Sequence, residues 1–75
     1  MSKKSVYSAE YRTILSRLKE ARLGSRLNQS EVAKKLRKPQ SYISKVESGE
    51  RRLDVVELRK LAHVYKKPVA FFLDD

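Results

Sequence analysis

Residues 28–49 read NQSEVAKKLRKPQSYISKVESG. Two short helical patterns stand three residues apart in this stretch. In the first, Val32, Ala33 and Leu36 recur at helical spacing. Asn28 stands before them as an N-cap, with Glu31 three positions on, which is the form of a capping box. In the second, Ile43 and Val46 make the apolar stripe and Gly49 suits the stop. Only Arg37, Lys38 and Pro39 separate the two, and proline is well tolerated near a helix start. The second helix, predicted over 40–48, opens with Gln40, Ser41 and Tyr42. A helix that only filled a core would seldom begin with so many hydrogen-bonding side chains.

The same periodicity extends outward on both sides. Ser8 is placed as an N-cap with Glu10 in the first turn, where the helix dipole favours a carboxylate. Tyr11, Ile14, Leu15, Leu18 and Ala21 form one apolar face, and Gly24 suits the stop. Asp54 and Glu57 repeat the capping-box spacing ahead of Leu58, Leu61, Ala62 and Tyr65. Lys66 and Lys67 complement the C-terminal end of that helix. Pro68 is expected to open a last short helix running to Leu73. The reading is all-α: five helices with tight connections, forming one domain over 8–75 behind a flexible tail at 1–7.

A chain of 75 residues lies near the lower size limit for a core without staples, and it has no cysteine to supply a disulfide or a thiolate zinc site. His63, the single histidine, has no second imidazole to form a metal pair or relay. No Ser/His/Asp set and no glycine-rich phosphate loop can be assembled, so neither an enzyme nor a metal or cofactor is expected. Eighteen basic residues against nine acidic give a net charge of +9, which favours a polyanionic partner. The longest apolar run, Val69 to Leu73, is far short of the roughly 20 residues that span a bilayer. No leader-like apolar run follows Lys3-Lys4, and the absence of cysteine fits a cytoplasmic setting.

So short a link between the second and third helices forces a steep crossing. That is the helix-turn-helix arrangement, in which the second helix of the pair enters the major groove of DNA by its N-terminal end. Gln40, Ser41 and Ser44 then lie at the front or outward face, with Lys45 beside them, while Ile43 and Val46 hold the helix to the body. Gln pairs bidentately with adenine, Ser serves several base edges and Lys donates to guanine. The basic excess is concentrated here. From Lys34 to Arg52 there are seven Lys or Arg and two acids, a net +5 of the chain's +9.

The succession Leu27-Asn28-Gln29-Ser30-Glu31-Val32-Ala33, then Pro39-Gln40-Ser41-Tyr42-Ile43-Ser44-Lys45-Val46-Glu47-Ser48-Gly49, resembles the Xre or lambda-repressor-like helix-turn-helix family, which includes Cro-type phage repressors. The likeness covers about residues 9–73, with Leu58 to Ala62 and Val69 to Leu73 similar to the family's fourth and fifth helices. It implies that Gln29 bonds a phosphate and braces Gln40, and that Tyr42 lies at the groove wall. It further implies that Lys38, Arg51 and Arg52 clamp the DNA backbone, and that Glu47 pairs with Arg22 in the first helix. The family usually has glycine in the turn where this chain has Arg37. That position is expected either to take a positive φ or to alter the turn, and Arg37 to add a phosphate contact. The resemblance implies a transcriptional regulator acting on double-stranded DNA, repressor or controller in type, and nucleoid-associated when bound.

Phe71 and Phe72 are adjacent, so on a helix they point in different directions. One is expected to face the core and the pair to supply a homodimer interface, which would set two recognition helices about 34 Å apart on a palindromic operator. The rival reading is an antitoxin-like module that sequesters a protein partner, with DNA binding secondary; the aromatic pair is its best support. A nonspecific architectural or RNA-binding protein would need only the charge, and the Gln-Ser-Ser-Lys set is more selective than that role requires.

Overall fold

The computed structural model describes residues 8–73, and these contain five helices and no strand. They are α1 (Ala9–Gly24), α2 (Gln29–Leu36), α3 (Gln40–Ser48), α4 (Val55–Val64) and α5 (Val69–Leu73). The expected tail at 1–7, with Lys3 and Lys4, lies outside the described residues, as do 74 and 75. No described helix is long and apolar enough to cross a membrane.

Local chemistry sets the starts. The Ser8 hydroxyl accepts from the Tyr11 N–H at 3.0 Å. Both capping boxes form. The Glu31 N–H donates to Asn28 Oδ1 at 2.8 Å and the Asn28 N–H to Glu31 Oε1 at 2.8 Å. Asp54 and Glu57 repeat the exchange at 2.8 and 3.0 Å. Such caps satisfy N–H groups that a helix start leaves open. α3 is different: its cap position is Pro39, and no side chain closes its N-terminus.

Gly49 ends α3 and Arg37 takes a positive φ, both as expected, but the stop of α1 differs. Gly24 is the last residue of α1, not the residue beyond it, and the chain reverses through Arg26 at φ 60°. Arg37 and Lys66 do the same after α2 and α4, at φ 59° and 56°. In each case two backbone bonds close the end: Leu27 N–H to Arg22 O, Lys38 N–H to Ala33 O and Lys67 N–H to Ala62 O span six residues, with a shorter bond nested inside. This is the Schellman arrangement, for which glycine is the usual residue. Only α3 uses glycine there, Gly49 at φ 86°. A left-handed conformation costs an L-residue about 1–2 kcal/mol, and a cation at the negative end of the helix dipole offsets part of that. Arg37→Gly is therefore expected to stabilise the domain by about 0.5–1 kcal/mol, after the added freedom of glycine in the unfolded chain is set against the relief. Urea denaturation measures it, and a loss of stability would show that the Arg37 side chain outweighs its backbone strain.

Pro68 lies just before α5, not within it, and its carbonyl accepts from the Phe71 N–H at 3.0 Å. The core gathers one side of every helix. Leu18, Val32, Ile43, Val46, Leu61 and Phe72 are the largest fully buried side chains. α1 packs on α3 and α5, α2 on α3 and α4, and α4 on α5. Arg17 reinforces the α1–α5 contact, donating from Nη1 to the Phe71 carbonyl at 3.0 Å.

Candidate nucleic-acid interface

Three residues, 37–39, join α2 to α3, and the two helices pack directly on each other. Ile43 and Val46 are each 1% exposed and anchor α3 to the body. The opposite side of α3 carries Gln40, Ser41 and Lys45, all exposed, and Ser44, which is half-buried. The four expected base-reading residues thus share one helix, with Ser44 recessed behind the other three.

Gln40 is held by a chain of polar contacts that begins in the core. Arg22 grips Glu47 with two parallel bonds, Nε to Oε2 at 2.6 Å and Nη2 to Oε1 at 3.1 Å. Their side chains are only 9% and 8% exposed. Arg22 Nη1 also donates to the Leu27 carbonyl at 3.0 Å, which ties the α1–α2 turn to the pair. Glu47 then accepts from Gln29 Nε2 at 3.1 Å, and Gln29 Oε1 accepts from Gln40 Nε2 at 2.9 Å. The polarity propagates. An ionised carboxylate can only accept, so Gln29 must turn its amide nitrogen inward and its oxygen towards Gln40. Gln40 answers with one N–H and keeps its carbonyl oxygen and second N–H for an outside partner. Charge-assisted bonds of this kind are the stronger ones. The Arg22–Glu47 pairing and the bracing of Gln40 by Gln29 are both present, while the bond from Gln29 to Glu47 was not foreseen.

Tyr65, 3% exposed, lies close to this pair; burial pushes its phenol well above the usual range, and the charge of Glu47 adds to the shift. It therefore stays neutral beside the ion pair.

Tyr42 departs from its expected place at the groove wall. It is 8% exposed and part of the core, so its ring is a packing group. Burial is also the main reason its phenol is raised. Its ring serves as a platform for cations: Lys38 Nζ lies 5.1 Å and the Arg51 guanidinium 4.8 Å from its centroid. Arg52 rests similarly on Tyr11, at 4.5 Å. The loop that carries these arginines is tied down. Leu53 N–H donates to the Tyr11 hydroxyl at 3.2 Å, and Arg51 N–H donates to the Lys45 carbonyl at 3.1 Å. Arg51 also pairs with Glu57, Nη2 to Oε2 at 3.1 Å. Cation–π contacts and this pair orient the side chains at modest energetic gain. The structure therefore places Lys38, Arg51 and Arg52 beside α3 in defined poses, and leaves Arg37 exposed in the turn.

Glu57 has its carboxyl held below its usual 4.5, first by the Asp54 N–H and then by Arg51. A depressed carboxylate means that the unfolded chain binds more protons as pH falls. The contribution is complete above about 4.5 and is lost as pH drops through the folded value. Glu57→Gln, which retains an oxygen for the cap, should lower stability near neutral pH by less than about 1 kcal/mol, because solvent reaches the pair from the exposed Arg51 side. The difference from the parent should shrink below about pH 4.5, as followed by denaturation at several pH values. A gap unchanged down to pH 3 would mean that charge plays no part in it.

One of the aromatic pair faces the core, as expected, but the pair as a whole does not form a surface. Phe72 is wholly buried and Phe71 half-buried, with the rings edge to face at 5.1 Å and Lys67 over Phe71 at 4.8 Å. Phe72 therefore cannot serve as an interface residue in the folded domain; it closes the core. Exposed apolar surface at this end comes from Leu73, 52% exposed.

Among the residues that position the site, sequence reasoning missed Tyr11, which braces the loop after α3, and the aromatic platforms under the three cations. The interleaving of Tyr42 with Lys38 and Arg51 was the available signal, but ring-to-cation contact across a fold has no fixed spacing.

A family model for the helix-turn-helix domain matches residues 18–72. No curated protein matches the chain.

Proposed function

Since the chain belongs to the Xre or lambda-repressor-like helix-turn-helix family, a family of DNA-binding regulators, we propose that it is a sequence-specific transcriptional regulator that reads the major groove with α3. The observation that carries this reading is the chain of bonds from Arg22 through Glu47 and Gln29 to Gln40. It leaves Gln40 with one acceptor and one donor side by side, the pair that adenine N6 and N7 require. Ser41 and Lys45 flank it on the exposed face, with Ser44 behind. The uncapped start of α3 supports the same orientation, since open N–H groups at a helix N-terminus suit a phosphate. Lys38, Arg51, Arg52 and Arg37 supply the backbone contacts, with Tyr42 as the surface that holds two of them rather than a contact itself. Gln29 spends its amide largely on Glu47 and Gln40, so bracing is its principal role.

We assign the working form as a homodimer on a two-fold-symmetric operator, with half-sites about 34 Å apart. Phe71 and Leu73 offer the remaining apolar surface at the C-terminal end. The rival antitoxin-like reading loses Phe72 as a contact but would use the same remaining surface, Phe71 and Leu73. Selection from a randomised duplex pool at near-physiological salt tests the proposal. A symmetric consensus is expected, and no enrichment would overturn sequence-specific reading.

Individual contacts separate by their salt and sequence dependence. Gln40→Ala should cost about 1–3 kcal/mol at the selected site and little on random duplex. Arg52→Ala should weaken both alike and lower the salt slope by about one. Fluorescence anisotropy across a salt series reads both. Unchanged affinity of Gln40→Ala for the selected site would remove the base contact from the mechanism.

A further inference from the structure

A second cationic surface lies away from the base-reading side chains. The C-terminal part of α2, the C-terminal half of α4 and the start of α5 enclose an open groove of about 630 Å³. Lys35, Arg37, Arg59, Lys60 and Lys67 line it, together with His63, and no carboxylate does. Its floor is apolar: Leu36, Val64 and Val69, all half-buried, are exposed there. Gln40, Ser41, Ser44 and Lys45 take no part.

Charge alone would suit any polyanion. The apolar floor discriminates, because a nucleic-acid backbone has nothing to place on Leu36 and Val69. A peptide segment with carboxylates on either side of one or two large apolar side chains matches both features: the apolar group covers the floor and the acids meet the rim. Such amphipathic segments dock in grooves of this kind, and charge of complementary sign speeds their encounter. We infer that this groove is a docking site for an acidic, apolar-anchored segment of a protein partner, separate from the base-reading side chains of α3 and sharing only Arg37 with the proposed backbone contacts. The regulator would then join a partner to its operator while α3 remains engaged.

Titration of the isotopically labelled protein with two synthetic peptides, followed by amide NMR shifts, tests the inference. One is Asp-Asp-Leu-Phe-Asp-Asp-Leu; the other carries serine at the three apolar positions. The first peptide should move amides of Arg59, Lys60, His63 and Val69 more than those of 40–45, and bind at least tenfold more tightly than the second. The variant with both Arg59→Glu and Lys60→Glu, two exposed positions, should lose at least tenfold in affinity for the first peptide while folding normally and holding the selected duplex. Shifts centred on 40–45, equal binding of the two peptides, or no effect of the double variant would each overturn the inference. So would an equal loss of duplex affinity in the double variant, which would make the groove part of the DNA surface. Whether the selected-site affinity exists at all is measured separately, so failure of the groove and failure of the DNA reading are distinguishable.

Discussion

Arg22→Ala should lower the unfolding free energy by about 3–5 kcal/mol, the usual effect of removing one partner from a buried ion pair. A domain of this size holds only about 4–11 kcal/mol in all, so the variant should be partly unfolded at 37 °C. The physical reason is the carboxylate left behind. Glu47, with a side chain 8% exposed, would keep only the single bond from Gln29. The α1–α2 turn would also lose the bond from Arg22 to the Leu27 carbonyl. The effect reaches the interface, because Gln29 takes its orientation from Glu47. Urea denaturation measures the first consequence, and duplex affinity at low temperature, where the variant is folded, measures the second. A double variant, Arg22→Met with Glu47→Leu, should recover much of the stability, since an apolar pair of similar volume often replaces a buried ion pair without loss. It should not recover the selected-site affinity, because Gln29 then has no carboxylate to turn towards. Full affinity in that double variant would show that the polar chain does not orient Gln40.

Phe72→Ala is the second large effect, about 3–5 kcal/mol, from lost burial and the cavity left among α1, α4 and α5. Phe72 is wholly buried, and α5 has only five residues with which to hold itself in place. Loss of its anchor should release α5 together with the bond from Arg17 to the Phe71 carbonyl. Such a variant reports on folding and not on association. Leu73→Ser is the informative companion. Leu73 is 52% exposed, so its replacement should change stability by no more than about 0.5 kcal/mol. If the C-terminal end forms the dimer surface, sedimentation should show weaker association for Leu73→Ser with an unchanged fold. If association is unchanged, the interface lies elsewhere. A Phe72→Ala protein within about 1 kcal/mol of the parent would mean that α5 is not part of the cooperative core.

Much of this molecule is legible in its residues because the relevant interactions are local. Asn28 with Glu31 and Asp54 with Glu57 mark helix starts, since a capping box closes within three residues. Val32, Ile43, Val46, Leu58 and Leu61 mark inward faces, since helical spacing sets direction. The three-residue link at 37–39 announces the helix pair, and the polar front of α3 is what suggests the use proposed for it. Arg22 with Glu47 was reached only through family resemblance. The two are 25 positions apart, and no periodicity connects them.

The tertiary structure decided the rest, wherever the outcome depends on which of two neighbours the rest of the chain covers. Phe71 and Phe72 are chemically alike and adjacent, and only the packing of α5 on α1 and α4 buries the second. Tyr42 is flanked by outward-facing polar residues in sequence, yet it is buried close to Asp54 and Glu57 at the start of α4 and forms a seat for Lys38 and Arg51. Arg26, Arg37 and Lys66 take left-handed backbone that residue type disfavours. The backbone bonds that close each helix end hold them there against a cost of about 1–2 kcal/mol per residue. Residue type and spacing thus determined five helices and the side of α3 that faces outward, because both follow from contacts within a turn or two. The final orientation of Gln40, the seating of Lys38, Arg51 and Arg52 and the closure of the core required contacts between distant helices, which only the assembled fold supplies.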